Sequence, residues 1–221
     1  MENIGIDLKG LKVYDFDQIK ERLFLKLLNE EVHREIVEKG PSVRIVDLVA
    51  VYGLLLNSDE EGCMTMHVNH QMLERWGIEE AKLFEWALEN TRKLFGVKMV
   101  PLSKVIKGYL NADDVKGIQS EGLNDEMYVI TNKDGSYGAS MILMPNVLNA
   151  LAEKIGKDLI LIPSSVHEMM AFGADDKYSV KLLNELIREV NKTLNPLEVL
   201  AEHAYFYSRK ADKLSIAKEI F

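Results

Sequence analysis

Ser164, Ser165, His167 and Glu168 lie together in the segment Asp158-Leu-Ile-Leu-Ile-Pro-Ser-Ser-Val-His-Glu-Met-Met-Ala171. Nowhere else does a buried-strand pattern meet such a cluster of reactive side chains. A hydroxyl beside an imidazole is how a serine nucleophile is activated, so the segment offers one reaction class: hydrolysis, with Ser164 or Ser165 as nucleophile and His167 as base. Were residues 165–172 extended, alternation would put Ser165 and His167 on one face and Glu168 on the other, leaving the imidazole without an orienting carboxylate. The serines lack a Gly-x-Ser-x-Gly elbow, and no glycine-rich loop nearby would supply an oxyanion hole. Pro-Ser-Ser between apolar strands is also ordinary turn chemistry. Ser164, Ser165 and His167 are therefore candidates without a complete catalytic set.

The other histidines carry less. His67 and His70, in Met66-His-Val-Asn-His70, straddle a strand-to-helix boundary with no third ligand at metal spacing, so no metal site is expected. His33 and His203 stand among charged residues at element ends, with Glu31, Glu35 and Glu202 as partners for solvated or capping imidazoles. No Walker loop, dinucleotide fingerprint, paired-cysteine motif or calcium loop occurs, and no cofactor is expected. Trp76 and Trp86, on consecutive helices with no basic groove beside them, are expected to pack between those helices rather than stack bases. The ten methionines fall largely in or beside strand-like segments, where the thioether serves as adaptable core filler.

These side chains need a scaffold, and the composition provides one. A chain of 221 residues with 47% hydrophobic content can bury a sizeable core. Its 27 Lys and Arg against 35 Asp and Glu give a net charge of -8 with no long block of one sign, which disfavours nucleic acid as a partner. The single cysteine, Cys63, allows no internal disulfide and points to a reducing, cytoplasmic setting. The longest apolar run, residues 48–56, falls far short of the roughly 20 residues of a membrane helix. The opening Met-Glu-Asn-Ile-Gly-Ile-Asp lacks the basic and apolar regions of a secretory signal.

Apolar spacing predicts a first helix from an Asp15 cap to about Asn29, then a β-hairpin from residues 44–56 and 63–68. Helices are expected over residues 69–77, 79–95 and 101–110, the second stopped by Gly96. Residues 111–126 lose periodicity and read as an acidic flexible linker. Beyond it, residues 127–131 and 139–144 flank Asn132-Lys-Asp-Gly135 as a second hairpin. A helix from Pro145 to Gly156 and strands over residues 159–162 and 166–172 come next. The last elements are a helix over residues 179–194, with Leu182, Leu183, Leu186, Ile187 and Val190 inward, and a hairpin over residues 204–217. This is an α+β pattern of antiparallel hairpins alternating with helices, in two hairpin-then-helix halves, residues 1–110 and 127–221, that pack as one domain or two.

Across about nine-tenths of its length the chain resembles an uncharacterised bacterial family, a domain of unknown function from anaerobic gut bacteria. The matching pieces include Asp15-Phe-Asp-Gln-Ile-Lys-Glu-Arg22, Asp47-Leu-Val-Ala-Val-Tyr52, Leu73-Glu-Arg-Trp-Gly77, Ala87-Leu-Glu-Asn-Thr91, Met127-Tyr-Val-Ile-Thr-Asn132, Gly138-Ala-Ser140, Leu161-Ile-Pro-Ser-Ser-Val-His-Glu168, Val190-Asn191 and the Tyr205 to Tyr207 tail. Members usually carry a further amino-terminal region before the stretch matching Asp15, so a truncated start at Met1 is expected. The family has no established activity, and the resemblance lends no catalytic residues. The leading expectation is a cytoplasmic protein that binds another protein or a small molecule through its sheet, with the Ser164, Ser165 and His167 hydrolase as the alternative. A homo-oligomer formed through the edge of the terminal hairpin is a third expectation.

Overall fold

The computed structural model describes residues 13–59, 62–109, 127–175 and 179–218. The acidic linker expected over residues 111–126 lies outside them. The fold is mixed α+β with antiparallel sheets, and strand hairpins alternate with helices.

The first sheet is organised around the long strand β3 (Leu48–Asp59). On one side β3 pairs with β1 (Leu23–Asn29); on the other it pairs first with β2 (Ser42–Ile45) and then with β4 (Gly62–His67). Helix α1 (Phe16–Ile19) leads into β1, and α2 (Arg34–Lys39) lies between β1 and β2. Helices α3 (His70–Trp76) and α4 (Glu80–Phe95) cover one face, where Met72, Trp76, Leu83 and Ala87 pack on Leu23, Leu25, Tyr52 and Leu54. Asn69 caps α3 by accepting the Met72 N–H at 2.9 Å, and Gly77 closes it in the left-handed region.

The second sheet has six strands, in the order β10 (Lys213–Ile216), β9 (Tyr205–Ser208), β7 (Leu159–Ser165), β8 (Glu168–Gly173), β6 (Tyr128–Asn132) and β5 (Val97–Pro101). Helix α5 (Leu102–Tyr109) continues directly from β5. One buried cluster joins the sheets: Leu28, Val49 and Val51 from the first, and Ile130, Leu161, Met169 and Tyr205 from the second. Between them pack the 3-10 turn Gly138–Leu143 and helix α6 (Val147–Ile155). Helix α7 (Val180–Asn191) covers the far face of the second sheet through Val180 and Ile187.

Several elements depart from the sequence pattern. Only residues 16–22 of the expected first helix are helical, and residues 23–29 form β1. All of Leu23 to Leu28 are buried, and a run buried on both faces satisfies helical spacing at some positions without being helical. The second hairpin does not form, because residues 138–143 wind into a 3-10 turn while β6 pairs with β5 and β8. Val97–Pro101 is a strand that the spacing did not reveal. On α7, Leu182, Leu186 and Val190 are 65%, 57% and 47% exposed rather than inward, since only the stripe through Val180, Leu183 and Ile187 faces the sheet. The tryptophans pack on α1: the Phe16 ring lies 5.6 Å from Trp76 and 4.9 Å from Trp86, centroid to centroid.

Candidate functional site

The Ser164 to Glu168 segment is a tight hairpin, with β7 ending at Ser165, Val166 and His167 in the turn, and Glu168 opening β8 opposite Ser165. Ser165 is used as a turn residue: its Oγ accepts the His167 backbone N–H at 3.0 Å. The Ser164 hydroxyl donates to Glu168 Oε1 at 3.0 Å. His167 Nδ1 accepts the Tyr137 backbone N–H at 3.2 Å. That bond occupies the lone pair of Nδ1, so the neutral ring carries its proton on Nε2. Nε2 is directed toward Glu198, 3.8 Å away, and no hydrogen bond joins either serine hydroxyl to the imidazole among the described residues. In this arrangement the Nε2 proton of His167 faces the Glu198 carboxylate, and the serine hydroxyls are bonded to Glu168 and to the turn backbone.

The His167 turn instead forms one wall of a cleft of about 450 Å³. Val32, His33, Glu35 and Ile36 from the β1–α2 connection and α2 form another wall, His67 comes from the end of β4, and Tyr137, Val166, Asn195, Leu197 and Glu198 complete the lining. Close backbone approach holds the parts together. The Val166 N–H donates to Glu198 O at 2.9 Å, and Thr131 Oγ1 donates to His167 O at 2.8 Å. Gly138 sits at the junction, where a Cβ would lie 2.2 Å from Thr131 Oγ1 and 2.4 Å from His167 O, so only glycine fits. Tyr137, just before it, adopts the left-handed conformation (φ 54°), which turns its ring toward His167 at a centroid distance of 5.8 Å.

Beneath Tyr137 lies Lys26, 1% exposed in the middle of β1. Gly53, opposite Phe24 on β3, makes room for it: a Cβ there would stand 2.5 Å from the Phe24 ring and 3.1 Å from Lys26 Cε. Lys26 therefore crosses the sheet to donate to Thr65 Oγ1 on β4 at 2.9 Å, with Nζ 4.0 Å from the Tyr137 ring centroid. Burial pushes its pKa down to about 8. His67, on the same face as Thr65, is held down to about 4 by burial, then by Lys26 and His33. His33 is lowered by burial and by Lys26. The Tyr137 phenol is raised by burial and by Glu198. His33 Nδ1 and His67 Nδ1 are both buried and find no hydrogen-bond partner among the described residues.

His70 is exposed on α3, away from this cleft. His203 meets Asp47 at 3.1 Å and the Tyr205 ring at 5.1 Å, rather than the glutamates beside it in sequence. Among the described residues no three His, Cys, Asp or Glu side chains are grouped to hold a metal ion.

Comparison with known families gives a match to a family of unknown function over residues 2–209. The chain belongs to the DUF5688 family. No curated protein and no solved structure matches it. No helix among the described residues is long and apolar enough to cross a membrane.

Lys26 and Tyr137 are the members of this site that motif reasoning passes over. A lone lysine inside Leu23-Phe-Leu-Lys-Leu-Leu28 was the available signal, because lysine is almost never fully buried without a reason. Tyr137 gave no comparable signal, since its role depends on a left-handed backbone position.

Proposed function

We propose that this is a bacterial, cytoplasmic protein that binds a small molecule in the cleft between His33, His67, Tyr137, His167 and Glu198, its two halves acting as one unit. The observation that carries the reading is a concave site in which three imidazoles and a phenol converge from four separate segments above a buried ammonium. Such convergence of polar groups within a cavity of this size is typical of ligand pockets. The net charge of -8 favours a small molecule over nucleic acid. A hydrolase using Ser164 or Ser165 finds less support, because both hydroxyls and His167 Nδ1 are engaged elsewhere.

A fluorine-labelled fragment library, screened by NMR, tests the reading against a variant with its mouth blocked. Val32 and Leu197 are 39% and 61% exposed at the rim, so Val32→Trp with Leu197→Trp fills the entrance without disturbing the core. Fragments should bind the native protein and lose binding in the blocked variant. Hits unaffected by the block would place binding elsewhere and overturn the proposal.

A further inference from the structure

We infer that the ligand of the cleft carries a compact anionic oxygen group, a carboxylate or a phosphate, seated where His33 and His67 stand beside the buried ammonium of Lys26. The inference rests on the cleft being a ligand site and adds the chemical class of its occupant.

The charge of Lys26 is the first support. A lysine in a sheet ordinarily runs its stem along apolar surface and leaves the ammonium in water. Here the sheet is built to keep the group inside: Gly53 clears the path, Thr65 takes one N–H, and the rings of Tyr137 and Phe24 lie 4.0 and 5.5 Å from Nζ. Among the described residues no carboxylate stands within ion-pair distance of it. One neutral hydrogen bond and two ring faces leave much of the positive potential of a buried ammonium uncompensated. A charge held this way just behind the Tyr137 wall of the cleft attracts an anion more strongly than a solvated lysine does, because little water screens it.

The neighbours of the ammonium supply the second support. The groups facing it are Phe24 on its own strand, Thr65 and His67 on β4, and Tyr137 on the turn, with His33 also within its electrostatic reach. None of these is acidic. His33 and His67 are neutral imidazoles at pH 7 and can donate N–H groups to an oxygen anion without bringing a competing negative charge. The two carboxylates that line the cleft are at its solvent side: Glu35 pairs with Lys39 on α2, and Glu198 is 40% exposed near His167. The cleft is thus electropositive inside and acidic at its mouth.

Titration calorimetry of the full chain with inorganic phosphate and with succinate, and succinamide as the uncharged control, tests this. At pH 8, where Lys26 titrates, an anion seated beside it raises its proton affinity, so binding should take up protons, seen as a dependence of the heat on buffer ionisation enthalpy. At least one of the two anions should bind saturably, and succinamide should not. Lys26→Met should weaken that anion about tenfold or more, roughly 1.4 kcal/mol, and abolish the proton uptake. His67→Gln, which leaves Lys26 in place, should weaken binding while keeping the uptake, and circular dichroism checks that both variants fold. Absence of saturable binding by both anions, equal binding of succinamide, or unchanged affinity in Lys26→Met would each overturn the inference. Uncharged fragments that bind natively and are lost on blocking the rim would then leave the ligand site standing and only its anionic occupant rejected.

Discussion

Replacing Lys26 by methionine should make the protein more stable at neutral pH while damaging its site. The ammonium is 1% exposed, and burial lowers its pKa from 10.5 to about 8. At 1.36 kcal/mol per pH unit, the charged form costs the fold about 3 kcal/mol relative to a neutral group. The native chain releases this proton near pH 8 and the unfolded chain near 10.5, so between those values the unfolded state binds more protons and native stability rises with pH. Below pH 8 the cost is fully present. Methionine fills a similar volume without charge but forfeits the Thr65 hydrogen bond, worth about 1 kcal/mol. It also loses the ammonium's contact with the Tyr137 ring, worth about another 1 kcal/mol. The net expectation at pH 7 is a gain of about 1 kcal/mol, a rise in melting temperature of about 2–4 °C for a chain of this size. Above about pH 9, where the native lysine is largely neutral while the unfolded one still binds its proton, the order should reverse. Urea unfolding of both proteins from pH 7 to 10.5 measures this directly. A Lys26→Met protein less stable than the native one at pH 7, or a stability difference that stays flat across the window, would refute a buried, uncompensated ammonium.

Other perturbations probe different parts of the site. His67 is held neutral to about pH 4 against 6.5 in the unfolded chain, so the unfolded state binds more protons between those values and stability is lost as pH falls through them. With partial screening by solvent this is about 2 kcal/mol; acid unfolding of His67→Phe should lack that component, and an unchanged acid limb would contradict it. Gly138→Ala drives a methyl into Thr131 Oγ1 and His167 O, so a loss of about 3 kcal/mol or more in chemical denaturation is expected, and a neutral effect would show the junction to be loose. Ser164→Ala with Ser165→Ala should cost about 1–2 kcal/mol through the lost Glu168 and turn bonds. No turnover of an ester and peptide panel is expected from the native chain, and turnover abolished by that double change would restore the hydrolase reading.

Much of the architecture was legible in the chain because caps and turns declare themselves locally. Asn69 and Gly77 bound α3, Gly96 ends α4, and the terminal hairpin forms where residues 204–217 alternate. The failures share a physical cause. Leu23 to Leu28 is apolar at every position but Lys26, so its spacing cannot separate a central strand from a buried helix, and only pairing with β3 settles it. Asp134-Gly135 resembles a hairpin turn, but residues 138–143 are drawn into the core between the sheets, a tertiary effect invisible to local propensity. At the site, His167 was recognised for its type, and the structure brings it together with His33, His67 and Tyr137. Those partners come from distant segments, so no sequence spacing could reveal them. The serine neighbours that drew attention to His167 serve its turn instead.

The five histidines provide the most direct test of the cleft, since His33, His67 and His167 line it while His70 and His203 lie outside. Long-range proton–nitrogen NMR of the imidazoles, recorded as a fragment hit or a binding anion is titrated in, resolves each ring's nitrogens. A ligand in the cleft predicts shifts at His33, His67 and His167 that saturate together, with His70 and His203 unmoved. Saturable binding that shifts His70 or His203, or leaves the three cleft rings unchanged, would contradict the assignment of this cleft as the ligand site.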